Sequence, residues 1–295
     1  MPAVYYSFLL RYHMIKISCD STADLSPELY ERYNISKLPL YINIGGKEYI
    51  DGVDLTSEQL FKLVDETGEL PTTAAQSIED FTKYLNGIRE ENPGCEIIHF
   101  TISSGFSTTH NVASLAAHEM EGVYVVDSRN LSSGIGQTVI EACEMAAKGM
   151  EASEIVRIAE EDIIPKVDAS FTLDTLKYMA KGGRCSTVAA LGANLLQLKP
   201  CIEVVDGGMR VGKKYKGKYN RVVRQYVNDR LANIDDIRPD RIFITSAHCR
   251  QEYIDAAYEE VSKLNYFKEI LITEAACTVS SHCGPNTIGV LFIHK

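Results

Sequence analysis

The sequence Thr101-Ile-Ser-Ser-Gly-Phe-Ser-Thr-Thr-His-Asn111 joins a predicted strand to a predicted helix. An apolar run at residues 97–100 precedes it, and an apolar pattern of helical period follows it at residues 112–120. Six of the eleven residues carry hydroxyl groups, and none is acidic, lysine or arginine. Free backbone N–H groups and the positive end of a helix dipole meet at such a turn, which makes it a candidate anion site. Ser107 could instead only cap the helix, because one hydroxyl is enough for a cap.

The order of strands and helices around this turn predicts the fold class. Strand and helix patterns alternate from residue 15 to residue 148, which predicts an α/β fold with a Rossmann-like parallel sheet and helices on both faces. The later part of the chain reads as α+β, with a hairpin around Asp206-Gly207-Gly208. We therefore predict an α/β domain at residues 14–166 and an α+β domain at residues 167–295. Residues 1–13 are assigned to an N-terminal extension.

Three of the predicted strands end in short polar runs. These runs are Asp20-Ser-Thr22, Ser103-Ser104 and Asp127-Ser128. Because parallel α/β sheets bind ligands beyond the carboxyl ends of their strands, the three runs predict a ligand site at one edge of the sheet.

Local patterns add three expectations about the backbone. Residues 38–44 are predicted to form one strand that turns at Gly45-Gly46 into a hairpin. Residues 68–76 are predicted to be a loop. Residues 123–127 form an apolar run that predicts a buried strand.

Further expectations concern helix starts and the end of the chain. Ser57 is the predicted N-cap of one helix, and Ser77 with Asp80 predicts a capping box on another. The sequence Ser281-His-Cys-Gly-Pro-Asn286 precedes the last predicted strand. Its Gly-Pro turn is expected to hold His282 at the start of that strand.

Composition narrows the class of protein. The chain has 295 residues, of which 45% are hydrophobic and 24% charged, so it can bury a sizeable core. A net charge of −10 argues against binding of nucleic acid by the whole surface. No run approaches the roughly 18 apolar residues of a membrane span, and the first residues lack the features of a secretory signal. The eight cysteines are scattered without a C-x-x-C pair, which predicts reduced thiols and a cytoplasmic protein.

Common catalytic and cofactor motifs are incomplete or absent. Gly134-Ile-Gly136 is half of a dinucleotide fingerprint, but Val139 replaces the third glycine, and there is no phosphate-binding P-loop. The seven histidines show no zinc-binding spacing, so no metal site is predicted. Ser104 or Ser107 could be a nucleophile with a histidine as base, yet no G-x-S-x-G elbow is present. A cluster of hydroxyls indicates a polar binding surface better than it indicates one activated serine.

A basic segment interrupts the acidic chain. Residues 207–228 contain no acidic residue and seven lysines or arginines. One interpretation is a solvated face of a hairpin. The other is a docking surface for an acidic partner protein or a phosphorylated ligand.

Nine short motifs are distributed across residues 14–295. They are Asp20-Ser-Thr-Ala-Asp-Leu25, Leu38-Pro-Leu40, Asp51-Gly52, Pro71-Thr-Thr73, Ser103-Ser-Gly-Phe-Ser107, Val126-Asp-Ser128, Lys181-Gly-Gly-Arg184, Leu195-Leu-Gln-Leu-Lys-Pro200 and His282-Cys-Gly-Pro285. In this order they resemble the DegV family, the fatty acid-binding family that includes the FakB subunits of bacterial fatty acid kinase.

The resemblance implies a two-domain protein that holds one long-chain fatty acid between its domains. It implies that Thr73 and Ser107, with Ser104 as a neighbouring candidate, bind the carboxylate. His282 would assist, and Arg184 would support the site. The family presents the carboxylate to a separate kinase, FakA, so no catalytic residue and no cofactor other than the bound fatty acid are expected.

The chain departs from the family pattern at several positions. The loop usually written P-x-T-S-Q-P is Pro71-Thr-Thr-Ala-Ala-Gln76, and Asn286 replaces a glycine of the histidine motif. Lys216 stands beside Lys214 where the family has an arginine implicated in kinase docking. Two other functions stay open on the sequence: a serine hydrolase of acyl esters, and a carrier of another amphipathic carboxylic acid.

Overall fold

The computed structural model describes residues 14–189 and 198–295. The strands in these ranges are β1 (Ile15–Asp20), β2 (Ser36–Leu38), β3 (Tyr41–Ile44), β4 (Lys47–Ile50), β5 (Thr72–Ala74), β6 (Glu96–Thr101), β7 (Val123–Asp127), β8 (Val167–Thr172), β9 (Lys199–Val205), β10 (Gly208–Tyr215), β11 (Arg241–Ala247), β12 (Glu269–Glu274) and β13 (Thr287–Ile293). The α-helices are α1 (Pro27–Arg32), α2 (Ser57–Thr67), α3 (Ile78–Glu91), α4 (Thr109–Ala117), α5 (Ser133–Ala147), α6 (Ala152–Ile158), α7 (Lys177–Gly182), α8 (Ser186–Ala189), α9 (Tyr219–Arg230), α10 (Gln251–Lys263) and α11 (Cys277–Cys283). The proposed N-terminal extension at residues 1–13 lies outside the described residues.

The first sheet is parallel and is covered by helices on both faces. Its strand order is β2-β1-β6-β7. Neighbouring residues of β6 point to opposite faces, because side chains alternate along a strand. Ile97 packs in a cluster with Leu85 of α3, whereas Ile98 packs in a cluster with Ile135 of α5. The predicted α/β fold with a parallel sheet is therefore confirmed.

The second sheet is mostly antiparallel. Its strand order is β10-β9-β8-β13-β11-β12, and among these pairs only β11 and β12 run parallel. Helices α9 and α10 cover one face, where Tyr226 is fully buried. The hydroxyl of Tyr226 donates to the Ser170 carbonyl at 2.7 Å and accepts the Val290 N–H at 2.9 Å, so it joins β8 to β13. No helix in the described ranges is both long and apolar enough to cross a membrane.

Helix α5 lies between the two sheets. Its residues Ile135 and Val139 share one hydrophobic cluster with Phe100 of the first sheet and Leu291 of the second. The Gln137 side chain donates from Nε2 to the Leu291 carbonyl at 3.1 Å. One continuous core therefore runs from the parallel sheet to the antiparallel one.

A small third sheet corrects two of the sequence predictions. Residues 38–44 do not form one strand, because β2 ends at Leu38 in the parallel sheet and β3 begins at Tyr41 in a sheet of order β4-β3-β5. Pro39 lies at the break, and a residue without an N–H group does not continue a strand ladder. The predicted loop at residues 68–76 contains β5, which pairs antiparallel with β3. This strand is short and mostly exposed, so its sequence shows no apolar alternation.

Other local predictions had mixed outcomes. The predicted buried strand at residues 123–127 is β7, an edge strand in which only Val126 is buried. The N-cap of α2 is Thr56, one residue before the predicted Ser57. The capping box of Ser77 and Asp80 is confirmed. So is the β9–β10 hairpin, whose turn at residues 206–207 has positive φ angles of 51° and 77°.

His282 does not lie at a strand start. It is in the last turn of α11, a helix that the sequence patterns did not predict. Seven residues rich in threonine, serine and cysteine have weak intrinsic helix propensity, so tertiary contacts must hold this helix.

Candidate functional site

A cavity of about 640 Å³ is bordered by the carboxyl end of β6, by β5 and α11, and by the second sheet. This volume is typical of small-molecule sites. Arg184 is the one charged side chain among its described lining residues. Polar side chains from distant parts of the sequence also line it: Thr73, Gln76, Ser104, Ser107, Thr108, Asn111, Thr278 and His282. The remaining side chains are apolar, among them Ile102, Phe106, Val112, Leu131, Phe171, Met179, Met209, Val279 and Cys283.

The apolar lining reaches into the core. A second cavity of about 30 Å³ adjoins the first, and the two share Leu131, Phe171, Val279 and Cys283. Val112, in the apolar pattern that follows the hydroxyl-rich turn, also contributes to the lining. The large cavity therefore combines a polar cluster with an apolar interior.

Thr73 and His282 form the first part of the polar cluster. Thr73 Oγ1 lies 2.9 Å from His282 Nε2, although 209 residues separate the two in sequence. Thr73 is held by the pairing of β5 with β3, where it lies opposite Ile42. His282 is carried by α11.

His282 is neutral in the site. Burial, and then the charge of Arg184, lower the pKa of its imidazole to about 4. Its Nδ1 atom is buried and has no hydrogen-bond partner among the described residues. The imidazole therefore contributes one hydrogen bond and no charge near neutral pH.

The hydroxyl-rich turn supplies the second part of the cluster. Ser107 Oγ accepts the Thr109 N–H at 3.2 Å and lies 2.7 Å from the Thr109 hydroxyl. If the Thr109 hydroxyl donates in that contact, the Ser107 proton is free for a ligand. The N-cap of α4 is Thr108 and not Ser107, which lies one residue before it. Ser107 nevertheless accepts one amide N–H at the start of α4 while lining the cavity, so this contact and ligand binding are compatible.

Ser104, the neighbouring candidate, is hydrogen-bonded to Asp127. Its hydroxyl donates to Asp127 Oδ2 at 2.6 Å, and its N–H donates to Asp127 Oδ1 at 3.2 Å. Two of the predicted polar strand ends therefore meet, as expected from a parallel sheet. The Ser104 proton is directed to Asp127 in this arrangement, so Ser104 is less suited than Ser107 to bind an anion.

Arg184 connects two walls of the cavity. Its Nη1 donates to the Gly182 carbonyl at 2.7 Å, and its Nε donates to the Phe106 carbonyl at 3.4 Å. These contacts join the end of α7 to the hydroxyl-rich turn. The guanidinium keeps further N–H groups beside the cavity, so it can add positive charge to an anion site.

Three buried aspartates, Asp20, Asp24 and Asp51, lie behind the cavity and belong to motifs for which the sequence analysis predicts no role. Asp24 Oδ1 accepts the Ala276 N–H at 2.8 Å, and Asp51 Oδ1 accepts the Cys277 N–H at 2.7 Å. Asp51 Oδ2 also accepts from the N–H and the hydroxyl of Thr278, at 3.2 and 2.6 Å. Two carboxylates from the N-terminal region thus occupy the N-terminal end of α11, where orphan amides and the helix dipole favour negative charge.

Burial shifts the titration of two of these aspartates. Asp20 accepts the Ile102 N–H at 2.7 Å, yet burial raises the pKa of its carboxyl to about 6. Burial also raises the pKa of Asp24 well above its usual value. In the sequence, the feature that could have identified these aspartates is an acidic residue among small hydroxyl residues at the end of a strand. Only the fold shows that Asp24 and Asp51 support the helix that carries His282.

The basic segment lies on β10 and α9, and neither Lys214 nor Lys216 lines the cavity. Lys213 pairs with Asp229 at 2.7 Å, and Arg210 pairs with Glu203 at 2.9 Å. Lys214 and Lys216 are exposed and have no ion-pair partner among the described residues. Their charge is therefore directed to solvent.

Metal binding and serine hydrolysis each require a specific arrangement of side chains. Among the described residues, no group of histidine, cysteine and acidic side chains is arranged to bind a metal ion. His110 contacts Thr101 at 3.2 Å through Nδ1, and His282 contacts Thr73. Neither Ser104 nor Ser107 is hydrogen-bonded to a histidine in the described part of the chain. The serine–base pair of a hydrolase is not formed here.

Comparison with known sequences gives a match over nearly the whole chain. The family described as "Uncharacterised protein, DegV family" matches residues 14–295. A DegV domain-containing protein of Clostridium acetobutylicum is 34% identical over 285 residues, which cover 95% of this chain and 99% of that protein.

Solved structures with the same fold include two bacterial proteins described by their ligands. A DegV family protein from Thermus thermophilus, described as fatty acid-binding, has a TM-score of 0.87 at 27% identity and covers 96% of this chain and 100% of its own. A DegV lipid-binding protein from Thermotoga maritima has a TM-score of 0.81 at 26% identity, with coverage of 95% and 98%.

Proposed function

The chain belongs to the DegV family, and on that premise we propose that it binds one long-chain fatty acid in the large cavity. The carboxylate lies at Thr73, Ser107 and His282, with Arg184 beside it. The acyl chain lies against the apolar lining.

The observation that carries this proposal is the composition of the cavity lining. One polar cluster with a single charged side chain adjoins an apolar interior that reaches the core. Burial of about fifteen methylenes at ~0.8 kcal/mol each contributes on the order of 12 kcal/mol, enough for tight retention of an acyl chain. The similar structure from Thermus thermophilus is described as fatty acid-binding and the one from Thermotoga maritima as lipid-binding, and both support this ligand class.

A carboxylate at the polar cluster needs donors, because a buried charge without partners is costly. The hydroxyls of Thr73 and Ser107 are the closest fit, since each lines the cavity and can donate. Arg184 supplies a charged donor nearby. Hydroxyl donors leave one carboxylate oxygen accessible for a later reaction.

The first test is the ligand itself. Protein purified from cells is extracted with organic solvent, and the extract is quantified by mass spectrometry. We expect about one fatty acid per chain. An empty extract, from protein that also fails to bind added fatty acids, would refute the proposal; a different amphipathic acid in the extract would replace the fatty acid as ligand.

We also propose that the bound carboxylate is presented to a separate kinase that resembles FakA. Lys214 and Lys216 are the candidate docking residues, because they are exposed cations without partners among the described residues on a chain of net charge −10. The carrier itself needs no cofactor in this role. Its scattered cysteines fit a reducing compartment, and we propose the cytoplasm.

The docking proposal is tested by charge reversal. Lys214→Glu with Lys216→Glu is expected to leave fatty acid binding unchanged and to lower kinase-dependent phosphorylation. Lys62→Glu with Lys83→Glu is the matched control, because it changes the net charge equally at exposed positions of α2 and α3. Equal loss of phosphorylation in both double variants would contradict a specific docking surface.

A serine hydrolase of acyl esters is the alternative function. It requires Ser107 or Ser104 to act as nucleophile. Turnover of a p-nitrophenyl acyl ester that disappears in Ser107→Ala would establish this alternative. We expect no turnover by the wild-type protein, and weaker fatty acid binding by the variant.

A further inference from the structure

Gly182, at the end of α7, makes close contact with the imidazole of His282. A Cβ atom added at Gly182 would lie 2.6 Å from His282 Nδ1 and 3.5 Å from Cγ. Real Cβ atoms do not approach other atoms so closely, so only glycine fits beneath this ring. The Gly182 carbonyl is held in turn by Arg184 at 2.7 Å.

A second glycine allows close packing between the same two helices, α7 and α11. Gly284, which follows α11, has a φ of 81°, and a Cβ there would lie 2.6 Å from Tyr178 Cδ2 on α7. Each helix thus presents a glycine to an aromatic side chain of the other. The position of the His282 ring relative to α7 is therefore closely defined.

We infer that Gly182 is a positioning residue that sets which nitrogen of His282 carries the proton. Nδ1 faces Gly182 and has no partner among the described residues. A proton there would be a buried N–H without an acceptor, which is unfavourable because the donor has given up its hydrogen bonds to water. The proton therefore resides on Nε2, which donates to Thr73 Oγ1 at 2.9 Å.

This tautomer determines what Thr73 offers to the cavity. When Nε2–H donates to Oγ1, the Thr73 hydroxyl proton is free to donate to a carboxylate oxygen. In the other tautomer Nε2 would accept that proton, and Thr73 would present only lone pairs to an anion. The inference rests on the proposed fatty acid site, and it assigns the direction of the hydrogen bonds within that site.

The tautomer can be measured by NMR on ¹⁵N-histidine-labelled protein, with and without fatty acid. His282→Gln identifies the signals of residue 282. We expect long-range couplings that report a proton on Nε2 in lipid-free protein, and no change of tautomer when fatty acid binds. A proton on Nδ1 would overturn the inference even if fatty acid binds tightly.

Gly182→Ala tests the contact itself. We expect displaced His282 signals and at least a tenfold loss of fatty acid affinity. Gly87→Ala is the control, because Gly87 lies within α3 and no atom lies within 4 Å of an added Cβ. Wild-type affinity and unshifted His282 signals in Gly182→Ala would overturn the inference. If neither the wild type nor any variant bound fatty acid, the proposed function would be refuted. The NMR measurement on lipid-free protein would still decide which nitrogen of His282 carries the proton. That measurement also decides the inference if Gly182→Ala does not fold.

Discussion

The polar cluster of the cavity and the basic segment on β10 and α9 are both proposed to bind a charged group, but they are built differently. The cluster takes Thr73, Ser107, Arg184 and His282 from four separate parts of the chain. The basic segment takes its seven cations from one stretch, residues 207–228. The cluster has one charge and several neutral donors, whereas the segment has many solvated charges.

The polar cluster and the basic segment differ because one is largely shielded from water and the other is exposed to it. In a cavity with little water, a hydrogen bond from a hydroxyl to a carboxylate is strong, and an unpaired charge is costly. On the surface, water and salt weaken each charge, so several are needed to attract a partner. A neutral His282 and a solvated Lys214 are therefore both consistent with their surroundings. Variants that affect one region should leave the other intact.

The largest effect, a loss of folding stability, is expected for Asp51→Asn, a substitution behind the polar cluster. The amide would place an NH₂ group against donors of Cys277, Thr278 or Ser21, so at least one buried donor loses its acceptor. We expect the free energy of unfolding to fall by about 3 kcal/mol, measured by urea denaturation. Asp54→Asn, on an exposed residue of the same turn, is the control. A similar small change in both variants would show that α11 does not depend on Asp51.

Thr73→Val comes next, because it removes one hydroxyl at nearly constant shape. A hydrogen bond to a charged group contributes about 1.5–3 kcal/mol, so fatty acid affinity should fall roughly 10- to 100-fold. The affinity is measured by competition with a fluorescent fatty acid, and stability is measured in parallel. Thr72→Val, at the exposed neighbouring position of β5, should bind like the wild type. Unchanged affinity in Thr73→Val would place the carboxylate elsewhere.

The pH dependence of His282 is a smaller effect. Its pKa is lowered to about 4 in the folded protein, whereas an unfolded histidine titrates near 6.5. Between these values the unfolded chain binds a proton that the folded chain does not, so this group destabilises the fold as pH falls. The slope is at most about 1.4 kcal/mol per pH unit.

The measurement is urea unfolding of lipid-free protein from about pH 7 to about pH 4.5. His282→Gln should lose less stability on acidification than the wild type does. His118→Gln, on an exposed residue after α4, is the control. Parallel curves for wild type and His282→Gln would mean that the imidazole is solvated and not part of a dry cluster.

The smallest effect is expected on the basic segment. Replacing Lys214 and Lys216 with glutamine should change the free energy of unfolding by less than about 0.5 kcal/mol and leave the fatty acid content unchanged. Exposed charges without partners contribute little to folding. A large loss of stability or of bound lipid in this variant would show that the basic segment and the polar cluster depend on each other.

Much of the fold was accessible to sequence reasoning because it depends on local patterns. The alternation of strands and helices predicted the parallel sheet, Ser77 and Asp80 predicted a capping box, and Asp206-Gly207 predicted a hairpin turn. The capping box and the hairpin turn are each decided within a few residues, and the alternation is a succession of such local patterns. The local patterns failed where an element was short, as in β5 and α11, since such elements are stabilised by partners distant in sequence.

The sequence by itself determined the α/β class, the polar strand ends, the basic segment and, through its motifs, the family. Only the tertiary structure decided that Thr73 lies 2.9 Å from His282, that Gly182 packs on the same ring, and that two carboxylates hold α11. Propensities, caps and charge density are properties of neighbouring residues. A desolvated site is made by side chains that meet through packing, and its distances and pKa shifts exist only once the core excludes water.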